Sequence, residues 1–143
     1  MSELPRLIPE LVVSDIERSM TFYGDVLGFA VMYSRPEDGF AYLDREGAQL
    51  MIEQPRGRSR SLVAGQLSHP YGRGVNFQIE VADIAPLYER VCALGEPYLV
   101  LEDRWYRGDA TLLGNRQFVV QDPDGYLLRF FQDLGERPIE TTN

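Results

Sequence analysis

The sequence predicts an α+β fold in which one βαβββ module is written twice. Two internal matches carry that expectation. Ile8-Pro9-Glu10-Leu11-Val12-Val13-Ser14-Asp15-Ile16 aligns with Asn76-Phe77-Gln78-Ile79-Glu80-Val81-Ala82-Asp83-Ile84, and both copies run from strand into helix. Asp44-Arg45-Glu46-Gly47-Ala48-Gln49-Leu50-Met51-Ile52 aligns with Asp122-Pro123-Asp124-Gly125-Tyr126-Leu127-Leu128-Arg129-Phe130, and both are tight hairpins.

Leu7 to Val13 is β-rich and ends at Ser14-Asp15, where either side chain can cap the following helix. Ile16, Met20, Tyr23 and Leu27 recur at helical spacing, and Gly28 stops the helix. Phe29 to Tyr33, Phe40 to Leu43 and Ala48 to Glu53 read as strands, broken by Arg35-Pro36-Glu37-Asp38-Gly39 and by Arg45-Glu46-Gly47. That completes a first module of about 7–53. Residues 54–74 carry Gly, Pro and Ser without periodicity and are expected to form a connector or a flap. A second module, about 75–132, repeats the order. Phe77 to Val81 is a strand, Asp83 caps a helix with Ile84, Leu87, Val91 and Leu94 on one face, and Gly95 ends it. Tyr98 to Leu101, Gln117 to Val120 and Tyr126 to Phe131 supply strands, while Trp105 to Asn115 reads as an insertion. At 143 residues, the two modules are expected to share a single domain.

An apolar fraction of 44% and a charged fraction of 25% are those of an ordinary globular chain. The net charge of −8 argues against a nucleic-acid or anionic-membrane surface and favours a cationic ligand. All 14 basic residues are Arg, so Schiff-base and general-base lysine chemistry is excluded. The chain has one Cys, Cys92, and one His, His69; internal disulfides and Cys/His zinc clusters are therefore excluded too. The opening Met1-Ser2-Glu3-Leu4-Pro5-Arg6 has no leader pattern and no apolar run approaches membrane-spanning length, so a cytoplasmic protein is expected.

Val-Val-Ser-Asp-Ile-Glu-Arg-Ser-Met-Thr-Phe-Tyr at 12–23, Val26-Leu27-Gly28-Phe29 and Asp122-Pro123-Asp124-Gly125-Tyr126 together resemble the vicinal oxygen chelate superfamily. That superfamily includes glyoxalase I, extradiol dioxygenases, methylmalonyl-CoA epimerase and the bleomycin-resistance proteins. The resemblance implies a cup-shaped mixed sheet with helices on its convex side, a site in the concave side and a homodimer. It also implies metal ligands at positions matching Ile8, Met51, Asn76 and Arg129. Isoleucine cannot coordinate, a thioether is soft, guanidinium repels cations and one Asn binds too weakly, so no metal and no other cofactor is expected. The chain is thereby closest to the metal-free, bleomycin-resistance-like branch.

Strand alternation places Ile8, Glu10 and Val12 on one face and Leu11 and Val13 on the other. If Leu11 and Val13 pack on helices, the open face carries Gln49, Met51 and Glu53 in the first module, and Asn76, Gln78, Glu80, Leu127, Arg129 and Phe131 in the second. Phe40 matches an aromatic lining the drug site of bleomycin-resistance proteins and Tyr42 points the same way, whereas Arg35 stands where those proteins tend to have a further ring. Trp105 and Tyr106 read either as an aromatic lid over the cleft or as plugs of the core. Cys92 reads as a small core residue, His69 as a loop histidine, and Asp15, Asp83, Asp122 and Asp124 as caps and turns. The expected function is metal-independent sequestration of a small aromatic or cationic molecule by Phe40, Tyr42, Met51, Glu53, Asn76, Gln78, Trp105, Tyr106 and Arg129, with no catalytic residue. Three alternatives stand beside it: a lyase- or isomerase-like enzyme working through Glu and Arg side chains, an unorthodox carboxylate metal site of Glu10, Glu53 and Glu80, and a module whose cup is filled by its own side chains.

Overall fold

The computed structural model describes residues 4–56 and 62–140; positions 57–61 of the expected connector and the first three residues lie outside them. The chain's contacts divide into two units. One runs to Arg73 and includes the turn Asp122–Tyr126, and the other comprises Gly74–Gln121 and the segment from Leu127 onward.

The first unit begins with β1 (Glu10–Val12), after which Asp15 caps α1 (Ile16–Thr21) by accepting the Arg18 N–H at 3.2 Å. The helix widens into a π turn over Phe22–Val26 and stops at Gly28, whose φ of 82° is open to glycine and costly for other residues. Fully buried Ser19 joins the expected stripe and Met20 is half-buried; Ile16, Tyr23 and Leu27 are in the core. Then come β2 (Ala30–Arg35), a 3-10 turn, β3 (Phe40–Arg45) and β4 (Ala48–Glu53). The sheet order is β1-β4-β3-β2, with β1 parallel to β4 and the other pairs antiparallel. Leu11, Val13, Ala41, Leu43, Leu50 and Ile52 are all buried on one face.

The second unit repeats this with β5 (Asn76–Glu80), α2 (Ile84–Cys92), β6 (Leu99–Arg107), β7 (Thr111–Gln121) and β8 (Leu127–Pro138) in the order β5-β8-β7-β6. β5 runs parallel to β8. Its core is built on Phe118 and Phe130, each 0% exposed, with rings 5.6 Å apart, and Tyr88 of α2 meets Phe118 edge-on. Burying each such ring contributes roughly 1.5–3 kcal/mol. This is an α+β fold of two βαβββ modules, each a mixed four-stranded sheet.

Three local expectations are corrected. Trp105 to Asn115 is no irregular insertion: β6 and β7 continue through it as a hairpin, and β8 runs on to Pro138 beside it. Polar and apolar residues both fit there because an antiparallel extension of this kind can leave a face to solvent. Cys92 is exposed, since the buried stripe of α2 is Ile84, Leu87 and Val91 and the next position turns away from it. Leu94 lies beyond the helix end and is also exposed. No helix among the described residues is long and apolar enough to cross a membrane.

Candidate ligand-binding site

In the first unit the strand register lays out the face opposite Leu11 and Val13. One row across the sheet reads Val12, Glu53, Phe40, Arg35, and the next reads Glu10, Met51, Tyr42, Tyr33. A bulge in β2 decides the outer column. Val31 pairs with Leu43 and Tyr33 with Tyr42, so Met32 is the extra residue and strict alternation breaks there. Without it, Tyr33 and Arg35 would share the face of Val31 and Leu43. With it, Tyr33 stacks on Tyr42 at 5.2 Å and 18° and lies 6.0 Å from Phe40. The Arg35 guanidinium sits 4.0 Å from the centre of the Phe40 ring. Tyr33 is half exposed, whereas Phe40 and Tyr42 are buried. The Tyr42 hydroxyl donates to Gln49 Oε1 at 2.6 Å, and Gln49 Nε2 donates to Asp44 at 3.0 Å. Burial, then Tyr33 and Asp44, raise the Tyr42 phenol above its ordinary pKa.

Two carboxyls stand in those rows. Glu53 is 3% exposed and its Oε1 has no hydrogen-bond partner. A hydrogen bond to Glu53, then burial, then the charge of Glu53 hold the Glu10 carboxyl above the usual carboxylate range, with Arg35 pulling the other way.

The second unit carries a different polar set. Gln78 pairs with Arg129 across β5 and β8, and the Arg129 guanidinium donates to the Gln78 amide oxygen. On the same face Gln117 Nε2 donates to the Tyr106 hydroxyl at 2.5 Å. Arg129 Nε and Gln117 Oε1 are both buried without a partner. Asn76, at the start of β5, is exposed. Here too the edge strand is irregular: Leu99 faces Val119 but Glu102 faces Gln117, which inserts one residue. Tyr106 is thereby placed on the Gln117 face. Trp105 is turned to the opposite face, where its ring covers Gly114 so closely that an added Cβ would lie 2.6 Å from it, and where Arg137 stacks 4.1 Å from the ring centre. The two rings therefore do not form one aromatic lid, because neighbouring strand residues point oppositely.

The helix side of the first unit holds a cleft of about 380 Å³, bounded by Ile16, Met20, Ser34 and Ala41, with Glu17 and Arg56 at its mouth. Those two pair at 3.7 Å and are well exposed. Sequence reading missed this cleft; nothing in the periodicity distinguishes a lining Met20 from a core one.

Tyr33, Gln117 and the Arg35 stack also escaped it. The faces of Tyr33 and Arg35, and the meeting of Tyr106 with Gln117, are set by the two bulges, and an extra residue in a strand leaves no mark in the hydrophobic pattern. The turn Asp122–Tyr126 does more than reverse the chain. Asp122 accepts from the N–H groups of Asp124 and Tyr126, both at 2.9 Å, and from the buried Tyr23 hydroxyl at 2.8 Å. Asp124 accepts from Ser14 Oγ at 2.5 Å, and the Tyr126 hydroxyl donates to the Val12 carbonyl at 2.9 Å.

The four positions at which the resemblance implies metal ligands do not fit a metal. Met51 offers only a thioether, Arg129 is a cation engaged with Gln78, Ile8 has no donor, and the lone amide of Asn76 is a weak ligand. No group of three or more His, Cys, Asp or Glu comes together among the described residues.

A sequence profile of the glyoxalase/bleomycin resistance protein/dioxygenase superfamily matches residues 7–130. Bleomycin resistance proteins of Geobacillus stearothermophilus and of Staphylococcus aureus are each 35% identical over 136 residues, covering 89% of this chain and 96% of theirs. Among solved structures, TioX from Micromonospora sp. ML1 aligns with a TM-score of 0.68 at 23% identity, over 91% of this chain and 99% of that one, and shows the shared fold. Module order, motif positions and these matches agree: the chain belongs to the glyoxalase/bleomycin resistance protein/dioxygenase superfamily.

Proposed function

We propose that this protein binds and sequesters a small aromatic or cationic molecule, of the antibiotic class its relatives are named for, without a metal and without converting it. The observation that carries the reading is the β2–β3–β4 face of the first unit, where Tyr33, Tyr42 and Phe40 form a ring cluster beside the buried Glu53 carboxylate. Flat ligands gain area against such rings, and a few fixed polar groups set their orientation. Met51 fills the row between Glu10 and Tyr42. The second unit has a polar set of its own, Asn76, Gln78, Arg129 and Tyr106, joined by Gln117, while Trp105 belongs to its other face. The chemistry of the donor set supports metal independence. An enzyme of this fold working through Glu would instead show turnover.

Metal-free bleomycin is the first probe. Titration with chelator present is expected to reach saturation at a fixed stoichiometry, with the probe recovered intact. Phe40→Ala and, as a variant at a half-exposed position that leaves the core alone, Tyr33→Ala are each expected to weaken binding about tenfold, near the energy of one lost aromatic contact. Binding unchanged in both variants, or conversion of the probe, overturns the proposal.

A homodimer working in the cytoplasm goes with this reading. The edge strand β2 leaves Val31, Met32 and Tyr33 exposed at 45%, 47% and 50%, an apolar edge of the kind a second chain covers. Sedimentation is expected to give twice the chain mass; a monomer at all concentrations would reject it.

A further inference from the structure

We propose that Glu53, with Glu10 beside it, is the anchor for an amidinium, guanidinium or ammonium group of an aromatic ligand whose flat part rests on the Tyr33, Tyr42 and Phe40 cluster. This deepens the sequestration reading and rests on it, by naming the charge class of the ligand. Glu53 is 3% exposed, yet Oε1 meets no donor. A buried carboxylate oxygen without a partner forfeits its hydration and receives nothing in return, which marks a group held ready for something absent from the chain itself. The register puts Glu53 directly opposite Phe40, with Glu10 two residues along the neighbouring strand, so two acids and three rings share one patch. The chain's own Arg35 shows the chemistry: its planar cation lies over Phe40 and is balanced by Asp38 at 3.6 Å. A ligand amidinium taking the place of Arg35 would meet the same Phe40 ring and, in addition, the open Glu53 oxygen. An N–H donor fork matches a carboxylate, while a neutral amide of the same shape supplies fewer donors and no charge.

A proton follows from the geometry. Two acids this close share a proton more readily than they ionise together: the hydrogen bond to Glu53, then burial, then the charge of Glu53 hold Glu10 above the ordinary carboxylate range. The groups facing the pair are Arg35 on β2, which opposes the effect, and the Tyr33 and Tyr42 phenols. A bound cation favours the fully ionised pair, so acid competes with it.

Benzamidine and its neutral counterpart benzamide are the probes, titrated into the full chain by calorimetry and by nuclear magnetic resonance. At about pH 7.5 benzamidine is expected to bind roughly tenfold tighter than benzamide, a difference of one charge-assisted contact. Lowering the pH to about 4.5 is expected to weaken benzamidine at least fivefold while benzamide is unaffected, because benzamidine stays protonated throughout and only the protein titrates. Glu53→Gln is expected to abolish the preference. Glu10→Gln, at an exposed position and safe for folding, is expected to keep the preference and flatten the pH profile. Equal binding of the two probes, or a preference that survives Glu53→Gln, overturns the anchor. That failure leaves saturable bleomycin binding intact, whereas loss of bleomycin binding with the benzamidine preference retained rejects sequestration of that antibiotic and keeps the anchor.

Discussion

Asp122→Ala is expected to lower the stability of the protein by about 4 kcal/mol, a fall in Tm of roughly 10–15 °C. The carboxylate accepts from two backbone N–H groups and from Tyr23, whose side chain is 0% exposed. Alanine strands all three donors away from water, and a stranded buried donor forfeits its full hydration. Asp122→Asn keeps an acceptor and is expected to recover about half of the loss. The sign of the pH dependence separates charge from hydrogen bonding. Burial holds the Asp122 carboxyl above its usual range despite those bonds. A group whose pKa is higher in the folded than in the unfolded chain adds most stability below its unfolded value and loses that contribution as pH rises through the folded one. The advantage of wild type over Asp122→Asn is therefore expected to shrink from about pH 4 to pH 7, measured by urea unfolding at each pH. An advantage that grows with pH would mean that ionised Asp122 is stabilised in the fold.

Much of the architecture was legible because it rests on local signals with a period. Leu11 and Val13 alternate against Glu10 and Val12, Asp15 and Asp83 stand where helix caps belong, and the repeat of strand, helix and hairpin exposed the module twice. That Glu10 and Val12 share a face with Met51 and Glu53 followed from the same alternation, whereas their register comes from the strand pairing. What stayed hidden depended on single insertions. Met32 in β2 and the irregularity between Leu99 and Glu102 in β6 each flip every later side chain of their strand. One brings Tyr33 and Arg35 to Phe40, and the other sends Trp105 to Gly114 and Tyr106 to Gln117. Both bulges lie in the corresponding edge strand of their modules, where the extra residue disturbs only one neighbour. The buried role of the Asp122 turn was hidden for another reason: its partners Tyr23 and Ser14 are about a hundred residues away in the chain, beyond any sequence window.

Glu53→Gln is expected to do what few substitutions of a buried residue do, and raise stability, by about 1–2 kcal/mol at neutral pH. In the native chain a carboxylate with one unpartnered oxygen is buried next to a second carboxyl. Glutamine keeps the shape, removes one of the two charges and supplies N–H donors, so that the contact with Glu10 no longer needs a proton on that carboxyl. The gain has a pH signature. Because the Glu10 pKa is raised in the fold, that carboxyl stabilises the native state most below its unfolded value and the contribution is lost as pH rises through the folded value. Relief of the pair is thus felt chiefly at neutral pH, and the difference in Tm between Glu53→Gln and wild type is expected to narrow toward about pH 4.5. Thermal unfolding at the two pH values measures it. A variant less stable than wild type at neutral pH would make Glu53 a structural residue, and its open oxygen would then need an explanation other than a waiting ligand. A more stable variant that no longer discriminates benzamidine from benzamide would show stability surrendered at this position for recognition, since a carboxylate satisfied within the fold has nothing left to offer a cation.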